Sequence, residues 1–158
     1  MMIHIVTGKI NSGKSAKLGS IYNELQKGDG FISVKRMHYD KVHGYETMRL
    51  TSKAFHPLVI REEFSHQHID IACQIGPYLF LADTLKHVEQ EIEEMISNQV
   101  SPIFLDEIGQ LELYDKCFNN IFYKMIESKL EIYITVREDL VDQIIQKYQI
   151  NKVDIIKV

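Results

Sequence analysis

Gly8-Lys9-Ile10-Asn11-Ser12-Gly13-Lys14-Ser15 is the stretch from which the rest of the chain is read. These eight residues fit the pattern G-x-x-x-x-G-K-[ST], and their neighbours give the pattern mechanical meaning. Met2-Ile3-His4-Ile5-Val6, just before, is an apolar run suited to a buried parallel strand. Leu18, Ile21, Tyr22 and Leu25, just after, are spaced three and four apart like the buried stripe of a helix. Strand, glycine-bounded turn and helix is the setting in which such a loop cradles phosphate.

Each residue type has a physical role there. Main-chain N–H groups of the turn and of the first helical turn converge on one hollow, and the helix dipole favours negative charge in it. Gly8 and Gly13 let the main chain approach phosphate oxygens without a Cβ in the way. Lys14 brings a flexible positive charge to the outer phosphates, and the Ser15 hydroxyl is suited to ligate Mg²⁺. The candidate nucleotide-binding residues are therefore Gly8, Lys9, Ile10, Asn11, Ser12, Gly13, Lys14, Ser15 and Ala16.

The 158 residues suffice for one domain with a single core, expected to span 1–158. A hydrophobic share of 45% and a charged share of 25% are those of an ordinary globular protein. The formal charge of -4, with Lys and Arg scattered, gives no electrostatic footprint for nucleic acid. No apolar run approaches the ~18 residues of a membrane span, and no basic-then-apolar leader precedes the first strand. A cytoplasmic protein is the expectation, with neither nucleic acid nor membrane as partner and no feature that identifies a protein partner. The two cysteines, Cys73 and Cys117, are far apart without CxxC spacing and read as separate reduced thiols.

The first helix is expected from Lys14 to Lys27, ending at Gly28-Asp29-Gly30, with Phe31–Lys35 as a second strand. From Arg36 to Pro77 the chain turns polar, and a segment this long suggests inserted antiparallel strands or a lid over the nucleotide edge. Its histidines, including His66 and His68, lack the carboxylate or cysteine spacing of a zinc site. A helix follows from Asp83 to Gln99, with Glu89, Glu91, Glu93 and Glu94 as its solvated face. Later helices are expected over Asp115–Lys129 and Asp139–Gln149, with strands at Glu131–Val136 and Val153–Val158. Strands alternating with helices predict an α/β fold, a mostly parallel sheet with helices on both faces.

Pro102-Ile103-Phe104-Leu105-Asp106-Glu107 is the second organising stretch. A bulky apolar run ending in two acids has the Walker B form, a buried strand delivering carboxylates at its C-terminal edge, where ligands of open α/β sheets collect. With the loop at Gly8 it predicts a metal pair, Ser15 and Asp106, around hydrated Mg²⁺. Glu107 is then the candidate base for an attacking water.

Leu105-Asp106-Glu107-Ile108-Gly109-Gln110-Leu111-Glu112-Leu113 resembles the Asp-Glu-Ile-Gly-x-Met-Glu-Leu signature of a small nucleoside-triphosphatase family, the thermophilic or cancer-related NTPases. The resemblance implies a RecA-like P-loop fold with an added strand. It implies slow, Mg²⁺-dependent hydrolysis of several nucleoside triphosphates with little base preference. It also implies that the strand ending at Val136 lies between the loop strand and the Walker B strand, which would bring Thr135 and Arg137 near the terminal phosphate. The chain departs from the family at Ile10-Asn11, where Pro-Gly is usual; Asn is the non-glycine residue that best tolerates positive φ. The family's Gly-x-Arg-x-Gly-Phe pattern is only faintly echoed by Gly44–Arg49.

Catalytic candidates are thus Glu107, Lys14 and Arg137, the last with a competing surface role paired to Glu138 or Asp139. Two other functions compete with hydrolysis. A small nucleoside or nucleotide kinase shares the loop and the size, but needs no glutamate after the Walker B aspartate and usually carries an arginine-rich lid. A nucleotide-gated binding module would turn over only with a partner.

Overall fold

Ile3–Gly8 forms the first strand, β1, with Ile3, Ile5 and Val6 in the core and every residue but His4 buried. A strand covered on both faces has no use for alternation. The computed structural model, which describes residues 1–66 and 68–158, places β1 between two parallel neighbours. One is β8, Ile132–Arg137, and the other is β9, Val153–Lys157. On the far side of β8 lies β7, Ile103–Leu105, which in turn pairs in parallel with β2, Asp29–His38. The strand ending at Val136 therefore does lie between the loop strand and the acid-bearing strand.

The segment after Arg36 differs from a lid laid over the nucleotide edge. β3 (Lys41–Arg49), β4 (Phe55–Arg61), β5 (Ile71–Ile75) and β6 (Tyr78–Leu81) extend the same sheet in its own plane, all antiparallel. The result is one nine-stranded sheet, order β5-β6-β4-β3-β2-β7-β8-β1-β9. β2 carries the change of direction. Its first three residues, Asp29 to Phe31, pair with β7, and the stretch from Phe31 to His38 pairs with β3.

Helix α1, Lys14–Leu25, covers one face over Val6, Phe104, Tyr133 and Leu50. The other face is covered by α2 (Ala82–Ser97), α4 (Asn119–Glu127) and α5 (Val141–Lys147), burying Val88, Ile92, Phe122 and Ile144. The expected helix over Asp115–Lys129 is shorter, realised as α4 alone, and a separate four-residue turn, α3 (Gln110–Leu113), precedes it. Asp115 and Cys117 between them have positive φ, which breaks the helix. On α2, Glu91 is not simply solvated. It meets Arg49 at 3.2 Å and His87 at 3.3 Å.

The cysteines correct a second expectation. Cys73 on β5 and Cys117 after α3 are joined in a disulfide across 44 residues. They are not separate thiols, because the sheet extension brings β5 back over the segment that follows the Walker B strand.

Candidate active site

The loop after β1 keeps its shape through two left-handed residues, Asn11 at φ 58° and Gly13 at φ 93°. Asn11 takes the left-handed conformation expected of it, as its short polar side chain allows. Gly8 matters for space. A Cβ there would collide with the Ser12 hydroxyl. The Lys14 ammonium donates to the Lys9 carbonyl at 2.7 Å, so the lysine folds back over its own loop.

Opposite the loop stands Asp106, buried at 5% exposure and held on several sides. The Ser33 N–H donates to its Oδ2 at 2.9 Å, and the Thr135 hydroxyl donates to its Oδ1 at 2.5 Å. Burial raises the Asp106 carboxyl above its ordinary value. The Ser15 and Thr135 side chains, the Ser33 N–H and the Lys14 charge all pull the other way, toward the carboxylate. Ser15 and Asp106, from opposite ends of the site, are thus neighbours.

Glu107 follows with φ 66°, an uncommon conformation for a glutamate. Its N–H donates to the Thr135 hydroxyl at 2.7 Å, and the next N–H, of Ile108, donates to the Thr135 carbonyl at 3.0 Å. One threonine on β8 therefore fixes the turn that aims the acid. The protein packed around the Glu107 carboxyl raises it first, and the nearby Asp106 and Glu112 charges add to this; Lys14 opposes them. Its side chain is still exposed at the mouth of the cleft, so water tempers the rise.

Behind this turn, Glu112 is buried at 3% exposure. It accepts from the Gly109 N–H at 2.8 Å and the Phe118 N–H at 3.1 Å. Burial pushes its carboxyl up to about 7 against those two bonds. In the sequence Glu112 stands out only as part of the Leu105–Leu113 run. Its work is to tie the Glu107–Gly109 turn to the loop before α4.

A hollow between loop and acids is lined by Asn11–Ala16, Ser33, Lys35, Tyr45, Asp106, Glu107 and Thr135. It gathers Lys14, Ser15, Asp106 and Glu107 from the candidates. Gly8, Lys9 and Ile10 do not line this hollow; Gly8 is buried, Lys9 and Ile10 are exposed, and Ile10 lines the adjoining hollow instead. Sequence reasoning missed Ser33, Lys35 and Tyr45, which reach the hollow from the strands after α1; only the sheet order brings them there. Arg137 stands at the edge, and Asp139 holds it in a two-point pair, 2.5 Å and 2.9 Å. That is the surface pairing which competes with a phosphate role. The remaining arginines are also engaged: Arg36 by Glu46, Arg49 by Asp29 and Glu91, Arg61 by Glu63. No helix among the described residues is long and apolar enough to cross a membrane.

Comparison with known proteins agrees with this architecture. A family model described as NTPase matches residues 3–158. The nucleoside-triphosphatase THEP1 of Thermotoga maritima is 20% identical over 152 residues, covering 96% of this chain and 82% of that protein. The enzyme of the same name from Picrophilus torridus is 22% identical over 148 residues, covering 91% and 79%. In three dimensions the chain is similar to a human cancer-related nucleoside triphosphatase, with TM-score 0.68, 18% identity and coverage of 100% and 89%. THEP1 from Aquifex aeolicus gives TM-score 0.68 at 16% identity, covering 99% and 89%.

Proposed function

The chain belongs to the NTPase family, and from that membership we propose that it hydrolyses nucleoside triphosphates to diphosphate and phosphate, with Mg²⁺ and with little preference for the base. The observation that carries the reading is the meeting of Lys14, Ser15, Asp106 and Glu107 in one hollow. The loop N–H groups and Lys14 receive the phosphates. Their contacts are to oxygens common to every nucleotide, which is why the base matters little.

The donor set fits Mg²⁺. A hydroxyl and a carboxylate are hard oxygen ligands, and Mg²⁺ takes few protein ligands and keeps its waters. Asp106 is a buried carboxylate beside the Ser15 hydroxyl, a place where a cation compensates the buried charge. When bound, Mg²⁺ would neutralise charge on the β- and γ-phosphate oxygens. Glu107, raised toward neutrality and still wet, is tuned to accept a proton from an attacking water. Thr135 holds both acids, and Arg137 would have to exchange Asp139 for phosphate to add its own charge.

The test is product analysis of ATP, GTP, CTP and UTP incubated with Mg²⁺ or with excess EDTA. Free phosphate from all four, lost with EDTA, is the expected result. Bound but unhydrolysed triphosphate would favour a nucleotide-gated binding module and overturn the hydrolytic reading.

A further inference from the structure

A second hollow adjoins the first and shares with it Asn11, Lys14, Tyr45, Glu107 and Thr135. The two differ at their far ends. The first reaches Ser15 and Ala16 at the start of α1, where the α- and β-phosphates of a nucleotide are gripped. The second contains neither of these, so it begins where the terminal phosphate ends. This is the side from which a nucleophile approaches for in-line displacement.

The second hollow has a volume of about 280 Å³, close to the lower size of small-molecule pockets. A water occupies roughly 30 Å³, so the nucleophile of hydrolysis needs only a small part of it. Beyond Glu107 its walls are mostly apolar, with Ile75 and Phe80 from the added strands, Ile108 and Leu111 from the turn, and Leu140 after β8, beside the charged Glu112 and Arg137. Gln110 supplies an amide at the lip. All four arginines of the chain are already paired with carboxylates. Arg137 is the one arginine that lines the hollow; Asp139 holds its fork, and the only phosphate within its reach is the terminal one shared with the first hollow, while Glu107 and Glu112 both line the space. An uncharged occupant suits it better than an anion.

We infer that this hollow seats a second substrate, an uncharged hydroxyl-bearing compound with a flat apolar body, of which a nucleoside is the model. It takes the terminal phosphoryl group in competition with water. The inference rests on the phosphate-loop reading of the first hollow. The Glu107 carboxylate takes the hydroxyl proton as the hydroxyl oxygen bonds to the γ-phosphorus. The bond from that phosphorus to the β-bridging oxygen breaks, and its electron pair leaves with the nucleoside diphosphate. The products are a diphosphate and a phosphomonoester, with one proton passed through Glu107 to solvent. Hydrolysis is the same displacement with water in the acceptor's place. The added strands then have a role in the chemistry, because Ile75 and Phe80 wall only this second hollow.

The experiment uses γ-³²P-labelled ATP and Mg²⁺ with the whole protein, with and without millimolar adenosine, guanosine, cytidine or thymidine. Labelled nucleoside monophosphate should form at the expense of free phosphate with at least one of them. Phe80→Ala and Ile75→Ser should each lower transfer about tenfold, as expected for one lost apolar or aromatic contact, while phosphate release without nucleoside stays at the wild-type rate. A saturable nucleoside-induced rise in melting temperature, lost in the same variants, should accompany transfer. Undiminished phosphate release with no labelled nucleoside overturns the acceptor site and leaves hydrolysis standing. A nucleoside that binds without being phosphorylated overturns the transfer step. Loss of both turnover and triphosphate binding in the wild type contradicts the phosphate-loop reading itself.

Discussion

The Thr135 hydroxyl accepts the Glu107 N–H and donates to Asp106, so a single oxygen sets the position of both acids. Valine has the same shape without the hydroxyl, and Thr135→Val would leave an N–H and a buried carboxylate oxygen without partners. Each such loss costs about 1–3 kcal/mol, so the variant should melt earlier and turn over more slowly, while Thr135→Ser keeps both properties. Thermal melts and phosphate release on the two variants check this, and a wild-type Thr135→Val would remove the threonine from the account. Arg137 presents the opposite case, since Asp139 already occupies its planar fork. If the arginine leaves Asp139 for the γ-phosphate, Arg137→Lys should lower kcat more than affinity, because lysine keeps the charge but not the fork. Wild-type kcat in that variant would leave Arg137 on the surface. At this scale the loop was largely legible: Lys14, Ser15, Asp106 and Glu107 meet in one hollow, and Asn11 takes the left-handed turn expected of it. The φ of 66° at Glu107 was not legible, because it follows from bonds to a threonine 28 residues away.

The elements around the acids are tied together by contacts that lie outside local sequence. Glu112 on α3 joins the Glu107–Gly109 turn to the loop before α4, and Cys117 in that loop is bonded to Cys73 on β5. Local spacing could not reveal the cysteine pair, because what brings the residues together is the fold of the sheet extension. Closing a loop of 44 residues restricts the unfolded chain by about 4 kcal/mol in the chain-entropy model. Cys117→Ser should therefore move the urea midpoint down, and a dithiol reductant should lower the wild type to match. Glu112 makes stability depend on pH in a stated direction. The unfolded chain releases this proton near 4.5 and the folded one near 7, so between those values the folded state holds more protons. Its contribution is complete below pH 4.5 and is lost as the pH rises toward 7, by about 3 kcal/mol at most. Urea midpoints at pH 5 and pH 7.5 should converge in Glu112→Gln relative to wild type, and an unchanged difference would place the titration elsewhere.

In the whole molecule two halves of one sheet divide the work. The parallel half, β2-β7-β8-β1-β9, delivers the loop, the acids and Thr135 to a common edge, where open α/β sheets bind ligands. The antiparallel half adds Tyr45, Ile75 and Phe80 beside them. Alternating strands and helices made the first half readable, and the Asp106–Leu113 run pointed to its strand order. The second half was readable as strands but not as sheet, since Arg36–Pro77 carries no sign of which strand accepts it. A nucleotide that fills the common edge stabilises the fold by about 2.7 kcal/mol at a hundred times its Kd. Mg²⁺ and triphosphate should therefore raise the melting temperature, and Lys14→Ala should abolish the rise while keeping its own fold. The central claim is that Glu107 serves the chemistry while the loop serves binding. It is tested most directly by measuring triphosphate affinity and phosphate release together on Glu107→Gln. Unchanged affinity with release slowed about 10²–10⁴-fold is the predicted result; wild-type release from that variant would contradict it.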